Sequence, residues 1–192
     1  SDPEAVLGHL PYREAADRDL RTLASDSRYR LRRAAAEAFD RMAAAARAEG
    51  VRFEVISAFR SIDQQQQVFF QIKAQRRQGV AQRAEVSAPP GYSEHHTGYA
   101  IDLGDRAAPS ANLNPAFERT QAFTWLAEHA TQFNFELSFG RENRQGVAYE
   151  PWHWRFVGDR ASLETFYKAR RLNPGPTEQP SSEQPSTDRP RI

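Results

Sequence analysis

The sequence predicts an α+β domain in which a mainly antiparallel sheet is flanked by helices. Three observations carry this expectation. Apolar residues between Tyr29 and Glu49 recur at helical spacing, three short stretches alternate apolar and polar side chains, and the connections between these elements are short.

The first helix runs from about Tyr29 to Glu49, with Leu31, Ala35, Ala38, Phe39, Met42 and Ala46 on one face and Gly50 as its stop. A strand follows over Val51 to Ile56, where Val51, Phe53 and Val55 alternate with charged residues. It ends at Ser57 to Arg60. Ser61 and Gln64 then form a capping-box pattern for a second helix that continues through Val68, Phe69 and Ile72 to about Gln78. Arg60 therefore sits at a strand end beside a helix N-terminus, where rigid elements hold functional side chains in place. A polar loop from Gly79 to Gly91 leads to a strand from Tyr99 to Leu103, with Ile101 and Leu103 on one face and Ala100 and Asp102 on the other. A third helix begins with Asn114 as cap and Pro115 in its first turn and runs through Phe123, Leu126, Ala130 and Phe133. A short strand from Phe135 to Phe139 and a charged turn from Gly140 to Gly146 follow. Trp152 to Val157 alternates again, with His153 and Arg155 opposite Trp154 and Phe156, and Asp159 to Arg171 reads as a closing helix. Beyond Asn173 the composition shifts to Pro, Ser, Glu, Gln and Thr, which cannot bury enough surface to order itself. The expected division is a domain over 1–172 and a disordered tail over 173–192.

Two segments carry chemistry: Ser93-Glu94-His95-His96-Thr97-Gly98-Tyr99-Ala100-Ile101-Asp102, and Glu150-Pro151-Trp152-His153. His95, Asp102 and His153 offer two imidazole nitrogens and one carboxylate oxygen, a donor set suited to zinc with one position left for water. The H-E-x-x-H helix arrangement is absent, and Gly98 and Pro151 argue against either segment forming a continuous helix. Strands and their entry loops fit better, so Asp102 and His153 are expected to meet across neighbouring strands. Spacing alone leaves Glu150 either as a base or as a fourth ligand closing a structural site.

Ser93-x-His95-x-x-Gly98-x-Ala100-x-Asp102 followed by Glu150-x-Trp152-His153-x-Arg155 resembles the paired signature of the VanY-type D-alanyl-D-alanine carboxypeptidases. These belong to a group of zinc peptidases with lysostaphin-like and hedgehog relatives. Ser57-Ala58-Phe59-Arg60-Ser61 followed by Gln65 resembles a third family segment, with Ala58 where glycine is common, and the likeness extends over roughly residues 8 to 170. The resemblance implies the hedgehog/DD-peptidase-like fold, a Zn2+ cofactor on His95, Asp102 and His153, Glu150 as the base and Arg60 as an oxyanion-stabilising residue. It also suggests Gln65 and Ser93 as substrate-binding residues and Trp152 as a wall of the pocket. The implied reaction removes the terminal D-alanine from peptidoglycan stem peptides. An L,D-carboxypeptidase acting on tetrapeptide stems, an endopeptidase cutting within the stem or a cross-bridge, and a zinc-stabilised module that binds wall peptide without cleaving it are the alternatives.

Each residue also has an ordinary reading. Ser93 serves equally as a turn residue, and Gln65 as the exposed side of a helix. His96, next to a proposed ligand in an extended segment, should point away from it. His129 reads as structural, and His9 has no partner identifiable from sequence. The net charge of +1, with acids and bases interspersed, gives no sign of a nucleic-acid partner. Cysteine is absent, which excludes disulfides, thiolate ligands and a cysteine nucleophile. No apolar run approaches the roughly 20 residues that span a bilayer. The chain begins at Ser1 rather than methionine, and an extracytoplasmic location after removal of a targeting or anchoring segment is the expectation.

Overall fold

The computed structural model describes residues 4–76 and 88–173. Within it a four-stranded sheet has the order β3-β4-β6-β5, with β3 at Phe53–Ser57, β4 at Ala100–Asp105, β5 at Phe135–Leu137 and β6 at His153–Phe156. Every pairing in it is antiparallel, as the sequence led us to expect. A smaller ribbon pairs β1 (Leu20–Thr22) with β2 (Arg30–Arg32). The helices are α1 (Arg33–Ala48), α2 (Ile62–Arg76), α3 (Gln121–His129), α4 (Arg160–Thr165) and α5 (Tyr167–Leu172).

The sheet has two chemically different faces, because side chains alternate along a strand while directly opposed residues share a face. Phe53 and Val55 of β3, Ile101 and Leu103 of β4, Trp154 and Phe156 of β6 and Phe135 of β5 lie on one face and join the main apolar cluster. The α1 helix supplies Ala35, Ala36, Ala38, Phe39, Met42 and Ala46 to the same core. Phe39 meets Phe135 edge to face at 6.4 Å, and Phe135 meets Phe156 at 5.6 Å. The opposite face carries Asp102, His153, Arg155 and Glu136 in register: Asp102 faces His153, and Arg155 lies between Ala100 and Glu136. An irregularity between Val55 and Ser57 shifts the β3 register and sets Ser57 opposite Asp102.

Several boundaries differ from the sequence reading. Residues 30–32 form a strand instead of the first turn of α1, and β1, which pairs with them, has no clear sequence signal. Arg32 donates its backbone N–H to the Gly98 carbonyl at 2.8 Å, so tertiary pairing overrides helical propensity there. The third helix is broken. Asn114 caps a short 3-10 turn over Pro115–Arg119, Thr120 caps α3 separately, and a further 3-10 turn over Ala130–Phe133 ends the segment. The closing helix divides at Phe166 into α4 and α5, with Asp159 and Ser162 forming a capping box at its start. The first predicted strand starts at Phe53 rather than Val51, and the strand at Phe135 ends at Leu137. The Ser61–Gln64 capping box is present, with reciprocal bonds of 2.9 and 3.1 Å. Asn173 is tied to Arg144 and Gln145. The predicted tail beyond it, most of the predicted polar loop and the side chain of Ile72 lie outside the described residues.

Gly98 joins the first chemical segment to β4 with φ +70°, and a Cβ there would lie 2.9 Å from Leu20 Cδ2 and 3.3 Å from Arg32 N. Gly98→Ala is expected to lower stability by about 1–2 kcal/mol from the left-handed backbone alone. Urea unfolding should show this as a lower midpoint at unchanged slope.

Candidate metal centre

β4 and β6 bring Asp102 and His153 face to face, and a 3-10 turn at Glu94–Thr97 delivers His95 to the same place. Ser93 starts that turn by accepting the His95 N–H on its hydroxyl at 3.3 Å, and Gly98 ends it in the left-handed conformation. One donor atom from each of His95, Asp102 and His153 lies within 4.8 Å of the others, and all three residues are buried.

The donors fit a cation. His95 Nδ1 lies 2.7 Å from the Ala58 carbonyl, an acceptor, so the ring hydrogen belongs on Nδ1. Burial lowers the pKa of His95 and favours the neutral ring, against the pull of Asp102. Its Nε2 lone pair then faces Asp102 Oδ2 at 3.1 Å, acceptor against acceptor. His153 has carboxylates at both nitrogens, with Asp102 Oδ1 2.8 Å from Nδ1 and Glu94 Oε2 3.0 Å from Nε2. Without a cation this ring must carry two hydrogens. Burial opposes that, but hydrogen bonds to Asp102 and Glu94 outweigh it and raise the ring to about 10. Asp102 is held well below the usual carboxylate range: burial pushes it up, and the two imidazoles overcome that. A divalent ion between His95 Nε2, Asp102 and His153 Nδ1 satisfies all three groups at once.

Two buried glutamates border this cluster, and their surroundings set them apart. Glu94 accepts from Ser138 Oγ at 2.6 Å, Arg155 Nη1 at 2.8 Å, His153 Nε2 and the Tyr12 hydroxyl. Burial disfavours its charge, yet Arg155 and His153 bring it down to about 2. Glu150 makes no side-chain hydrogen bond among the described residues, and its Oε2 lies 4.0 Å from His153 Nδ1. Burial pushes its carboxyl up to about 8; His153 opposes this, and Asp102 and Glu94 reinforce it. A buried carboxyl group with a raised pKa and no side-chain hydrogen bond among the described residues is equipped to take and give a proton.

These groups open onto a cleft of about 420 Å³ that is also lined by Arg60, Gln65, Ser93 and Trp152. Every sequence-predicted site residue therefore reaches one place. Arg60 donates from Nη1 to Gln65 Oε1 at 2.7 Å and from Nη2 to Ser57 Oγ at 2.5 Å. Gln65 is buried, not on an exposed helix face, and donates to the Ala88 carbonyl at 2.6 Å. His96 points away from the cluster and ties the Arg60 carbonyl to the Gly91 N–H, though the segment is a 3-10 turn and not the extended stretch on which that expectation rested. Sequence reasoning gave no role to Glu94, Arg155 or Ser138, and it left His9 aside. His9 lines the cleft and meets Phe139 edge to face at 6.1 Å. Glu94 and Arg155 stand inside the two motifs, but only the 3-10 turn together with the strand register brings them together behind His153.

Comparison with known proteins agrees with this picture. YodJ of Bacillus subtilis is 34% identical over 137 residues, 69% of this chain and 48% of YodJ. A D-alanyl-D-alanine carboxypeptidase of Enterococcus faecalis is 30% identical over 133 residues, 65% of this chain and 47% of that protein. The chain spans about half the length of these curated relatives. Among solved structures, the LD-carboxypeptidase LdcB superposes with a TM-score of 0.67 at 28% identity, covering 85% of this chain and 82% of that one. VanYB in complex with D-alanine-D-alanine gives 0.64 at 26% identity, covering 88% and 94%. The sequence profile described as VanY, D-alanyl-D-alanine carboxypeptidase, matches residues 28–159, a span that takes in His95, Asp102, Glu150 and His153, and the chain belongs to that family.

Proposed function

We propose that this chain is a zinc-dependent D-alanyl-D-alanine carboxypeptidase that removes the terminal D-alanine from peptidoglycan stem peptides, acting outside the cytoplasm. The observation that carries the reading is the pairing of a three-donor cation site with a buried glutamate whose side chain makes no hydrogen bond among the described residues. The family match and the D-alanine-D-alanine complex of VanYB support the substrate class. No helix among the described residues is long and apolar enough to cross a membrane.

His95 Nε2, Asp102 and His153 Nδ1 would hold the zinc. When bound, zinc supplies a Lewis acid that lowers the pKa of water from about 15.7 toward 7 and polarises a carbonyl oxygen. Glu150 accepts a proton from the attacking water and delivers it to the departing amine. Among the described residues its side chain makes no hydrogen bond that would compete with this. Arg60, clamped by Ser57 and Gln65, offers its positive charge to the oxyanion that forms as water adds to the scissile carbonyl. Its charge reaches both His95 and Glu150. Ser93, Gln65 and Trp152 border the space left for the peptide. The likeness to LdcB supports a second reading, L,D-carboxypeptidase activity on tetrapeptide stems.

Incubation with pentapeptide and tetrapeptide stems, followed by mass measurement, separates the two readings. Loss of one alanine from the pentapeptide alone is expected, and loss from the tetrapeptide alone favours the second reading. Chelation should abolish either activity, and a chain that turns over no stem peptide in a chelator-sensitive way refutes both. Glu150→Ala should keep stoichiometric zinc by elemental analysis while turnover falls by roughly 10²–10⁴; loss of the metal would make Glu150 a ligand instead. Arg60→Gln should reduce kcat on the order of 100-fold with zinc content unchanged.

A further inference from the structure

We propose that Glu94 is a positioning residue: from behind the site it accepts a hydrogen bond from the His153 Nε2–H and so commits Nδ1 of that ring to the cation. The inference rests on the reading of His95, Asp102 and His153 as cation ligands, and it assigns a task to a residue outside that set.

The geometry is specific. An ionised carboxylate only accepts hydrogen bonds, so the Glu94 oxygen 3.0 Å from His153 Nε2 requires a hydrogen on that nitrogen. Asp102 stands at the other nitrogen at 2.8 Å, but Asp102 is itself a proposed ligand, so with the cation bound Nδ1 is the nitrogen that loses its hydrogen and gives a lone pair. Flipping the ring would set carbon against both carboxylates. Glu94 thus selects the orientation and the tautomer of His153 together, the service that partners behind metal-binding histidines perform in general.

Glu94 can do this because it cannot move. Its side chain is 1% exposed, and four donors divide its two oxygens. Tyr12 and Arg155 bind Oε1, while Ser138 and His153 bind Oε2. Arg155 is itself fixed by Glu136 at 2.8 Å, and Glu136 is reached by Arg170 of α5 at 3.4 Å. Tyr12 and Arg170 both lie outside the family-matched span of 28–159, so segments on either side of it brace the ring from behind.

The test uses the full chain with zinc as probe. Glu94→Gln keeps the shape but turns one oxygen into a donor, which must oppose either the imidazole N–H or the Arg155 guanidinium. Competition against a chromophoric chelator should show zinc bound about 10–100-fold more weakly. In the zinc-loaded wild type, nitrogen-15 NMR of the histidine rings should show a protonated His153 Nε2, and in the variant that proton resonance should shift or exchange faster. Ser138→Ala keeps the carboxylate and removes one of its donors; it should move both readouts in the same direction to a lesser degree, and it decides the matter should Glu94→Gln fail to fold. Zinc affinity within about twofold of wild type with an unmoved Nε2 proton would overturn the proposal even if the melting temperature falls, because that is the behaviour of a purely structural carboxylate. A wild-type chain that takes up no zinc overturns the parent reading as well. Neither readout depends on which peptide is cleaved.

Discussion

The pairing of β4 with β6, in the register that opposes Asp102 to His153, is the constraint on which the site depends. Side chains alternate with a period of two, so a slip of one residue would send Trp154 and Phe156 into the cleft and His153 and Arg155 into the apolar core. Burying a large apolar side chain is worth roughly 1.5–3 kcal/mol. Ile101, Trp154, Phe156 and Phe135 lie together on the far face, and their burial sets the register against that slip. The polar face thus inherits its geometry from the apolar one.

Behind the cation donors the charges alternate in sign through Arg170, Glu136, Arg155 and Glu94, and the series ends on His153, which in turn meets Asp102. Arg155 and Glu94 are almost completely buried, and the guanidinium also stacks over the Phe166 ring at 5.1 Å. A buried ion pair of this kind adds little net stability over apolar residues of similar volume, because desolvation offsets the attraction. Its presence is better explained by what it holds. Removing one partner alone strands the other charge, so the chain functions as a unit and its members are not interchangeable.

Much of this was legible in the sequence. Helical spacing exposed α1, alternation exposed β3, β4 and β6, and the donor types in the two motifs pointed to the cation site. What could not be read depended on long-range partners. The turn at Arg30–Arg32 looked helical because Gly98, which claims its backbone, is remote in sequence. Gln65 read equally well as solvated, since only tertiary packing brings the Ala88 carbonyl to its amide. Glu94 occupied a position beside a ligand with no rule to say which way it turned, and the 3-10 turn with the β5–β6 pairing supplied the answer. Spacing alone left Glu150 open between base and ligand, and the family resemblance favoured the base. It is buried without a side-chain hydrogen bond among the described residues, unlike Glu94, and sequence carries no record of that.

Asp105, at the end of β4, accepts the backbone N–H of Ala107 at 2.7 Å and that of Ala122 at the start of α3 at 3.1 Å. Its own N–H binds Asn112, whose amide also reaches Glu54 on β3. The segment carrying Leu113 and Pro115, one border of the cleft, is therefore fastened to two strands. Such a border is held in shape by its own hydrogen bonds whether or not the cleft is filled. A guest in the cleft would meet a pre-organised template on that side, where little ordering entropy remains to be lost.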